Sequence, residues 1–412
     1  MSLSNIENKI HDLLLEHPHV RHFISSAYSR FSYTLLPKVK SEGNIVSVTP
    51  EDGFDYFFGY YDKSPWDETG RFMLCLRAKD ARSSPAPDAP AEIIVIDTQD
   101  GNSYKTVAKT NAWNSQQGCM AQWLGHGRIL YNDFRDGKYC SVILNLETNE
   151  ETIVDAPVYS VASDGSFALT LDFSRLHRMR PGYGYSNISD ASKGVLCPDE
   201  TCIWRVNLED GVSYPVLKYT DFFNFEHRPE MDGAEHKVNH IMISPSGRRF
   251  MVLHRWVKKG RTYSRLVTCD CDGSGLYNLS DDDFVSHCNW KNDDEIISYL
   301  NKNGIGKCYC ILKDKSGEYR QIWDELINVD GHPSYSPDRS KIVTDRYPDR
   351  QMLRTVYINT EENITRVAKV FSTFKYTGDT RCDLHPRWNH AGDTVCIDAC
   401  FKGHRGLYVI EV

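Results

Sequence analysis

The 412-residue sequence has no long hydrophobic run, and nothing in it approaches the roughly 20 apolar residues that a membrane-spanning helix needs. Its N-terminus is polar and lacks the apolar core of a secretory signal, so we expect a cytoplasmic protein without a transmembrane segment. An excess of positive charge is also absent. The formal net charge is −8, which argues against a nucleic-acid partner.

Regular cysteine spacing and the common catalytic motifs are missing too. The 13 cysteines form no regular framework, as expected of reduced, buried thiols. There is no phosphate-binding Walker A loop, no Gly-x-Ser-x-Gly elbow and no His-Glu-x-x-His, and we expect no organic cofactor. Helical periodicity is nearly absent after residue 40, which excludes a doubly wound α/β fold.

What the chain does contain is a tandem repeat marked by histidine. In each of four units a histidine is followed four residues later by a polar turn and then by a β-rich run. These histidines are His240, His287, His332 and His385. Their spacings are 47, 45 and 53 residues. A repeat of about 40–50 residues made of short strands is typical of a β-propeller blade.

The same repeat position continues towards the N-terminus. Lys63, Met120 and Tyr159 each stand four residues before a polar turn, which gives seven units in all. Short apolar runs at 92–97 and 406–410 are bounded by Asp, Asn or Gly, as strands between tight turns are. The sequence therefore predicts an all-β fold, a seven-bladed β-propeller over residues 41–412.

Two regions interrupt the repeat. Residues 1–40 form an N-terminal extension in which 4–36 has a helical pattern. These helices would either cap the propeller or dock it on a partner or a membrane surface. A long insertion at about 175–236 is rich in Tyr, Arg, His and Cys. Long insertions on a rigid scaffold usually carry function.

The repeat also predicts where a site would lie. The innermost strand of each propeller blade begins near the central axis, so the four histidines should form an arc at one end of the channel. Imidazoles from neighbouring blades suit a divalent metal such as zinc or manganese, and they also suit anion binding or proton transfer. The alternative is that each ring simply hydrogen-bonds a neighbouring strand.

Residues suited to an acidic sugar occur in three places, which are 57–66 in the first unit, 113–118 with 131–133 in the second, and 173–185. Arginine binds carboxylates in a bidentate manner, while tyrosine and amides suit the faces and hydroxyls of sugars. In the segment 173–185 (FSRLHRMRPGYGY), Gly182 and Gly184 permit a sharp turn. The alternatives are a solvated basic loop and aromatic packing between blades. The predicted substrate contacts are Tyr61, Lys63, Gln117, Asn132, Arg178, Arg180, Tyr183, Tyr185 and Arg387.

From Tyr56 to the C-terminus the chain resembles bacterial seven-bladed propellers related to oligogalacturonate lyases and ulvan lyases. The most specific pieces are 57–66 (FFGYYDKSPW), 116–118, 131–133, 173–185, 238–240, 286–287, 330–333 and 384–388. The resemblance implies β-elimination on a uronic-acid polysaccharide or oligosaccharide. Such a lyase must neutralise the carboxylate, remove the proton at C5 and protonate the oxygen leaving C4.

The resemblance also implies roles for particular residues. Tyr159 and Arg175 match a tyrosine and an arginine sixteen residues later that serve as proton donor or acceptor and as carboxylate clamp. A structural zinc in the ulvan branch would fall to His177, Cys197, His240 and His287. A metal on the late blades, as in the oligogalacturonate branch, would fall to His332 and His385.

The chain departs from both branches. Gln117 and Asn132 stand where histidines occur on early blades, and Arg387 stands where a further histidine ligand is expected. Three functions therefore remain open. They are a polysaccharide lyase, a non-catalytic glycan-binding or assembly protein of capsule or surface-polysaccharide biosynthesis, and a protein-interaction propeller that docks through its N-terminal helices.

Overall fold

The computed structural model describes residues 27, 28, 30, 31, 33–323 and 329–412. Within these residues, 28 strands form seven antiparallel four-stranded sheets. The predicted seven-bladed β-propeller is therefore confirmed. All 13 cysteines are free in this structure, and all except Cys197 are buried.

Six of the blades are continuous in the chain, and their strands follow one another from the channel to the rim. Blades 1 and 2 contain β2 Asp55–Phe57, β3 Phe72–Ala78, β4 Ala91–Asp97, β5 Ser103–Thr110, β6 Gln122–Gly125, β7 Arg128–Arg135, β8 Lys138–Asn145 and β9 Glu151–Val154. Blades 3 and 4 contain β10 Ser160–Val161, β11 Phe167–Leu171, β12 Thr201–Asn207, β13 Ser213–Lys218, β14 Glu235–Ile243, β15 Arg249–Lys258, β16 Arg261–Asp270 and β17 Tyr277–Ser280. Blades 5 and 6 contain β18 Val285–Trp290, β19 Glu295–Lys302, β20 Gly306–Lys313, β21 Tyr319–Ile322, β22 Ser334–Tyr335, β23 Ile342–Asp345, β24 Leu353–Asn359 and β25 Ile364–Phe371.

Blade 7 joins the two ends of the chain. Its three inner strands are β26 Arg387–Trp388, β27 Thr394–Ala399 and β28 Gly406–Glu411, and its outer strand is β1 Ile45–Ser47. β1 pairs antiparallel with β28, with Ile45 opposite Ile410. This pairing closes the ring.

The core lies between neighbouring blades. The second strand of a blade is covered on both faces, so it is apolar along its whole length instead of alternating. In β11 every residue of the sequence FALTL is buried. One cluster joins Leu130 of blade 2 to Ala168 and Val206 of blade 3.

The innermost strand of blade 1 is interrupted in a way that shapes the channel. Phe57 pairs with Leu76, and the next bridge joins Trp66 to Met73. Residues 58–65 therefore leave the sheet as an excursion, which carries Tyr60 and Tyr61 towards the axis.

The insertion predicted at about 175–236 has to be corrected. β12 and β13 of blade 3 lie inside that range, so the inserted chain consists of two segments, 172–200 and 219–234. The sequence did not predict β12 and β13, because Trp, Arg, Tyr and Pro in these strands obscure the alternation of apolar residues. The first insertion contains helix α1 Phe173–Met179, and the second contains α2 Tyr219–Asn224 and a 3₁₀ turn at Pro229–Met231.

Most of the predicted N-terminal helical stretch 4–36 lies outside the described residues. Residues 27, 28, 30, 31 and 33–35 are helical. Tyr33 packs against Phe371 and Phe374 of the blade 6 region, with ring centroids 5.6 and 5.4 Å away. Docking through residues 4–36 stays a prediction. No helix in the described part of the chain is long and apolar enough to cross a membrane.

Candidate functional site

The four repeat histidines converge at one end of the channel. Their ring centroids are 5.7 Å apart for His240 and His287, 4.1 Å for His287 and His332, and 4.5 Å for His332 and His385. All four side chains are buried. The arc expected from the repeat is therefore present.

Unusual backbone geometry aims some of these side chains. His240 and His385 have φ values of 56° and 44°, and Met120, at the same repeat position of blade 2, has 56°. A left-handed backbone costs a residue with a Cβ about 1–2 kcal/mol, and such strain is concentrated at functional sites. Sequence spacing alone could not reveal it.

Two tyrosines from the blade 1 excursion fill the arc. The ring of Tyr60 lies 4.9 Å from His385 and 5.1 Å from His240, and its hydroxyl oxygen is 3.0 Å from each ring nitrogen of His240. Tyr61 donates a hydrogen bond to the Cys288 carbonyl at 2.8 Å, which ties blade 1 to blade 5. Burial raises the pKa of both tyrosines well above the usual value, so both stay protonated at neutral pH.

Three donors at the late blades could hold a metal. One ligand atom from each of His332, Asp383 and His385 lies within 4.8 Å of the others, the only such group among the described residues. The Nε2 atoms of both histidines are buried without a hydrogen-bond partner. His332 donates from Nδ1 to Asp345 at 2.7 Å, the carboxylate support that metal-binding histidines commonly have. Two imidazoles and a carboxylate suit zinc or manganese, so the donor set fits the expected metal.

The charge of Asp383 supports this assignment. Burial alone would raise its pKa, but Arg381 and Arg354 hold the pKa at about 2. Arg381 Nε lies 2.7 Å and Arg354 Nη2 2.9 Å from its oxygens. The carboxylate is thus ionised and positioned, although the two arginines also compete with a metal for its lone pairs.

The zinc set expected from the ulvan branch does not assemble. His177 and Cys197 belong to the first insertion, and Nδ1 of His177 lies 3.2 Å from the Tyr183 carbonyl. His240 contacts Tyr60, and His287 hydrogen-bonds Asp330 at 3.0 Å. The four residues do not form a donor group in the described structure, because two of them lie in the insertion and two face the channel.

Basic side chains crowd the same end of the channel. The Nε atoms of Arg180, Arg255 and Arg354 are buried without a hydrogen-bond partner. Burial and the neighbouring Arg180 lower the pKa of Arg255 to about 10. Burial, together with Arg180 and Arg255, holds the pKa of Lys237 well below its usual value. Buried cations that repel one another favour an anionic ligand.

Tyr159 is held in one orientation. Its hydroxyl oxygen accepts hydrogen bonds from Gln117 Nε2 at 2.7 Å and from the His240 backbone N–H at 3.1 Å. A phenol oxygen has two acceptor positions, so its own proton is left to be donated. Burial raises its pKa, and the nearby Asp62 raises it further. The geometry suits a proton donor better than a base.

Asn132 and Tyr185 support the base of the first insertion. Asn132 donates to the Tyr185 hydroxyl at 2.9 Å and to the Val158 carbonyl at 2.8 Å. The Tyr185 ring stacks on Phe173 with centroids 4.5 Å apart. Both predicted substrate contacts are therefore engaged in packing the insertion.

The predicted clamp role of Arg175 does not agree with its placement. Its side chain is 0% exposed, and its guanidinium donates to the carbonyls of His236, Val195 and Leu196 and to the Ser192 hydroxyl. No donor group is left facing the channel. Arg178 is likewise engaged, in ion pairs with Asp190 and Glu235 at 2.6 and 2.5 Å.

Lys63 and Arg387 are also engaged by protein groups, and they line a cavity that the four histidines of the arc do not line. Arg387 donates to the Gly59 and Tyr60 carbonyls at 2.6 and 3.0 Å, and so fixes the excursion 58–65. Lys63 pairs with Asp62 at 2.6 Å.

The turn 180–184 of the first insertion, called here the tip, covers the histidine end. Arg180 lies over the Tyr183 ring at 4.4 Å, and Tyr183 is 6.1 Å from Tyr60. A Cβ on Gly182 would come within 2.3 Å of the Asp379 carbonyl oxygen, so only glycine permits this contact.

Several channel residues were missed at the level of sequence. They are Tyr60, Lys237, Arg255, Asp330, Asp345, Tyr347, Arg354, Arg381 and Asp383. Asp330 and Asp383 did carry a signal, since each stands two residues before a repeat histidine. Asp345 also carried a signal, because Asp398 stands at the same distance after His385 as Asp345 does after His332. Arg255 and Arg354 lie on a second and a third strand, outside the repeat position of the histidines.

Fold and site together define a propeller with a basic, histidine-lined channel mouth. No family model matches the chain, and neither does the sequence of any curated protein. Among solved structures it is similar to an oligogalacturonate lyase from Vibrio parahaemolyticus, with 12% identity, a TM-score of 0.63, and coverage of 91% of this chain and 97% of that one. A prolyl endopeptidase structure matches with 9% identity, a TM-score of 0.51, and coverage of 95% and 53%. At such identities the likeness shows the propeller fold alone.

Proposed function

We propose that this protein is a carbohydrate-active propeller that cleaves a uronic-acid-containing glycan by β-elimination. The observation that carries the proposal is the meeting of unpaired buried arginine donors with the His332, Asp383 and His385 donor set at one channel mouth. A carboxylate ligand would accept hydrogen bonds from the arginines and would also bind a metal held by the donor set. The fold shared with an oligogalacturonate lyase over nearly the whole of both chains supports the choice of reaction.

The residues divide the three tasks of the reaction. Arg180, Arg255 and Arg381 would neutralise the carboxylate and so acidify the C5 proton. A divalent metal held by His332, Asp383 and His385 would add Lewis-acid polarisation when bound.

Proton transfer falls to the opposite side of the arc. Burial and Arg255 keep the pKa of His240 well below its usual value, so its ring is uncharged. A substrate carboxylate that neutralised Arg255 would raise this pKa and so make the ring a better acceptor for the C5 proton. Tyr159, whose oxygen already accepts two hydrogen bonds, would protonate the leaving oxygen.

The test is the release of unsaturated uronate, followed by its ultraviolet absorbance, from acidic polysaccharides and oligosaccharides in the presence of Mn²⁺ or Zn²⁺. We expect Tyr159→Phe and Arg255→Gln to lower the rate by about 100-fold or more, as losses of transition-state hydrogen bonds do. Arg71→Gln, on an exposed turn with an ion pair to Asp97, is the matched control. Absence of unsaturated product from every uronate glycan would contradict the catalytic proposal.

A second function is a non-catalytic glycan-binding or assembly role in capsule or surface-polysaccharide biosynthesis, in the cytoplasm. The engagement of Arg175 in packing favours it, because the carboxylate clamp implied by the ulvan branch is then missing. Glycan binding that survives Tyr159→Phe unchanged, without any cleavage by the unaltered protein, would establish this alternative.

A further inference from the structure

A cavity lies on the side of Tyr61 that faces away from the histidine arc. Its volume is ≈ 250 Å³, and blades 1, 5, 6 and 7 line it. Three lining residues, Asn289, Ser334 and Arg387, each stand two positions after a repeat histidine, and Pro337 and Asn389 lie in the turns that follow. At about 3.3 Å per residue along a strand, these turns reach the opposite end of the channel. We call this space the lower cavity.

Tyr61 separates the lower cavity from the arc. Its ring contacts His287, His332 and His385 at 5.7, 5.4 and 6.4 Å, and it also lines the lower cavity. A ligand in the lower cavity would therefore be separated from the histidine rings by Tyr61, while Lys63, in the cavity wall, lies 6.0 Å from the Tyr159 ring.

The lower cavity has an ion pair in its wall. Lys63 Nζ lies 2.6 Å from Asp62 Oδ2, and the two side chains are 10% and 5% exposed. The other carboxylate oxygen, Asp62 Oδ1, is buried without a hydrogen-bond partner. Burying an acceptor without a donor is unfavourable, so a ligand hydroxyl or amine that reached this oxygen would be stabilised. The ammonium group of Lys63 carries three N–H donors, of which the ion pair uses one.

The remaining wall is polar and includes the cation Arg339, whose Nη1 donates to the Trp290 carbonyl at 3.3 Å. The Asn289 amide has only the Met242 sulfur at 3.7 Å as partner, and Ser334 adds a hydroxyl. Arg387 is neutralised by Asp398 at 3.0 Å. The wall therefore offers both donors and acceptors, with one positive charge, that of Arg339, beyond the two ion pairs. The volume is below the roughly 300–1,000 Å³ of cavities for drug-sized ligands, so it suits one small ring.

We propose that the lower cavity binds a single neutral sugar unit. Hydroxyl groups of a hexopyranose donate to Asp62 Oδ1 and accept from Lys63 Nζ, while the Asn289 amide and the Ser334 hydroxyl complete the ring of contacts. The proposal stands whether or not the upper end of the channel cleaves a uronate glycan.

Saturation-transfer NMR and calorimetry on the full-length protein, with glucose, galactose and mannose as probes, test it. We expect at least one hexose to bind, and Asp62→Asn to weaken that binding by at least about tenfold, because hydrogen bonds to charged groups are the stronger ones. Ser334→Leu, which fills the cavity, should abolish binding. Asp164→Asn, at an exposed turn of blade 3, should leave binding unchanged.

A variant of the upper end distinguishes the two sites. His385→Ala removes a ligand of the metal group, and hexose binding should persist in it. The proposal is overturned if no hexose binds, if both Asp62→Asn and Ser334→Leu bind like the unaltered protein, or if His385→Ala removes hexose binding. Should Asp62→Asn fail to fold by thermal melting, Ser334→Leu decides the result.

Discussion

Arginine has two opposite roles in this protein. The guanidinium groups of Arg175, Arg387 and Arg405 are engaged by main-chain carbonyls and hold loops together. Those of Arg180 and Arg255 have buried N–H groups without partners. The sequence could predict that arginines gather near the channel, but not which are free, since the partners are carbonyls of distant segments.

Arg175→Ala should destabilise the fold without a specific effect on the chemistry. Removing the side chain leaves the buried carbonyls of His236, Val195 and Leu196 without their donor, while Asp190 keeps its ion pair with Arg178, and we expect a loss of about 3–5 kcal/mol for this buried network. Urea unfolding measures it. Arg175→Lys should recover little, because an ammonium cannot reach the same set of acceptors. A variant with unchanged stability and no activity would restore Arg175 as a carboxylate clamp.

Arg255→Met should have the opposite effect on stability. The replaced cation is buried and unfavourably placed, as its lowered pKa indicates, and an apolar side chain of similar length avoids that cost. We expect the free energy of unfolding to rise by about 1–3 kcal/mol. Uronate binding, followed by calorimetry, should be lost. A fall in stability would show that Arg255 is satisfied by a partner in solution.

At the scale of elements, the first insertion is held to the propeller by close contacts at its tip. Gly182 packs on Asp379, and Gly184 packs on the Phe173 carbonyl of α1. Asp172 caps α1 by accepting from the backbone N–H groups of Ser174 and Arg175. The sequence predicted a glycine-containing turn here, but the surface on which it rests belongs to a turn almost two hundred residues away.

Gly182→Ala should displace the tip from the channel mouth. The new methyl would meet the Asp379 carbonyl at 2.3 Å. Gly194→Ala is a matched control in the same insertion, because Gly194 has nearly the same φ, 90° against 91°, and open space around it. Both lose about 1 kcal/mol to backbone strain, and only Gly182→Ala should lose uronate binding as well. Equal binding by the two variants would show that the tip takes no part in the site.

A histidine pair between β14 and β15 should make the fold sensitive to acid. His236 Nδ1 lies 2.9 Å from His254 Nε2, and Arg265 Nε donates to the other nitrogen of His254 at 3.2 Å. Burial lowers the pKa of His236 to about 4. The unfolded chain therefore takes up a proton first as the pH falls. The stability from this pair is complete above about pH 6.5 and decreases between pH 6.5 and 4. The urea midpoint should depend less on pH in His236→Gln than in the unaltered protein. The same dependence of the midpoint on pH in both proteins would show that His236 is not its source.

At the scale of the whole molecule, the tandem repeat in the sequence predicted the fold correctly. The position four residues before each turn, which is histidine in four of the seven units, predicted the blade number, because the blades follow one another along the chain as a tandem repeat. The blade 1 excursion and the composition of the site were not predictable in this way. Both depend on residues that break the repeat, such as Tyr60 and Arg255.

Ring closure through the three-residue strand β1 should contribute measurably to the free energy of unfolding. Deleting residues 1–48 removes β1 and its pairing with β28, whereas deleting residues 1–40 leaves both in place. At about 1 kcal/mol for each backbone hydrogen bond, the longer deletion should cost about 2–3 kcal/mol more in urea unfolding. It should also aggregate through the exposed edge of β28, seen as light scattering. Equal stability of the two proteins would show that blade 7 is complete with three strands.

The excursion 58–65 has a consequence for how the molecule is made. Tyr60, from the first blade, touches histidines of blades 4, 5, 6 and 7. During synthesis Tyr60 cannot make its contact with His385 until the C-terminal blade has left the ribosome. The channel mouth is thus the final part of the molecule to form. A chain truncated before the C-terminal blade would therefore have folded blades and an incomplete histidine arc.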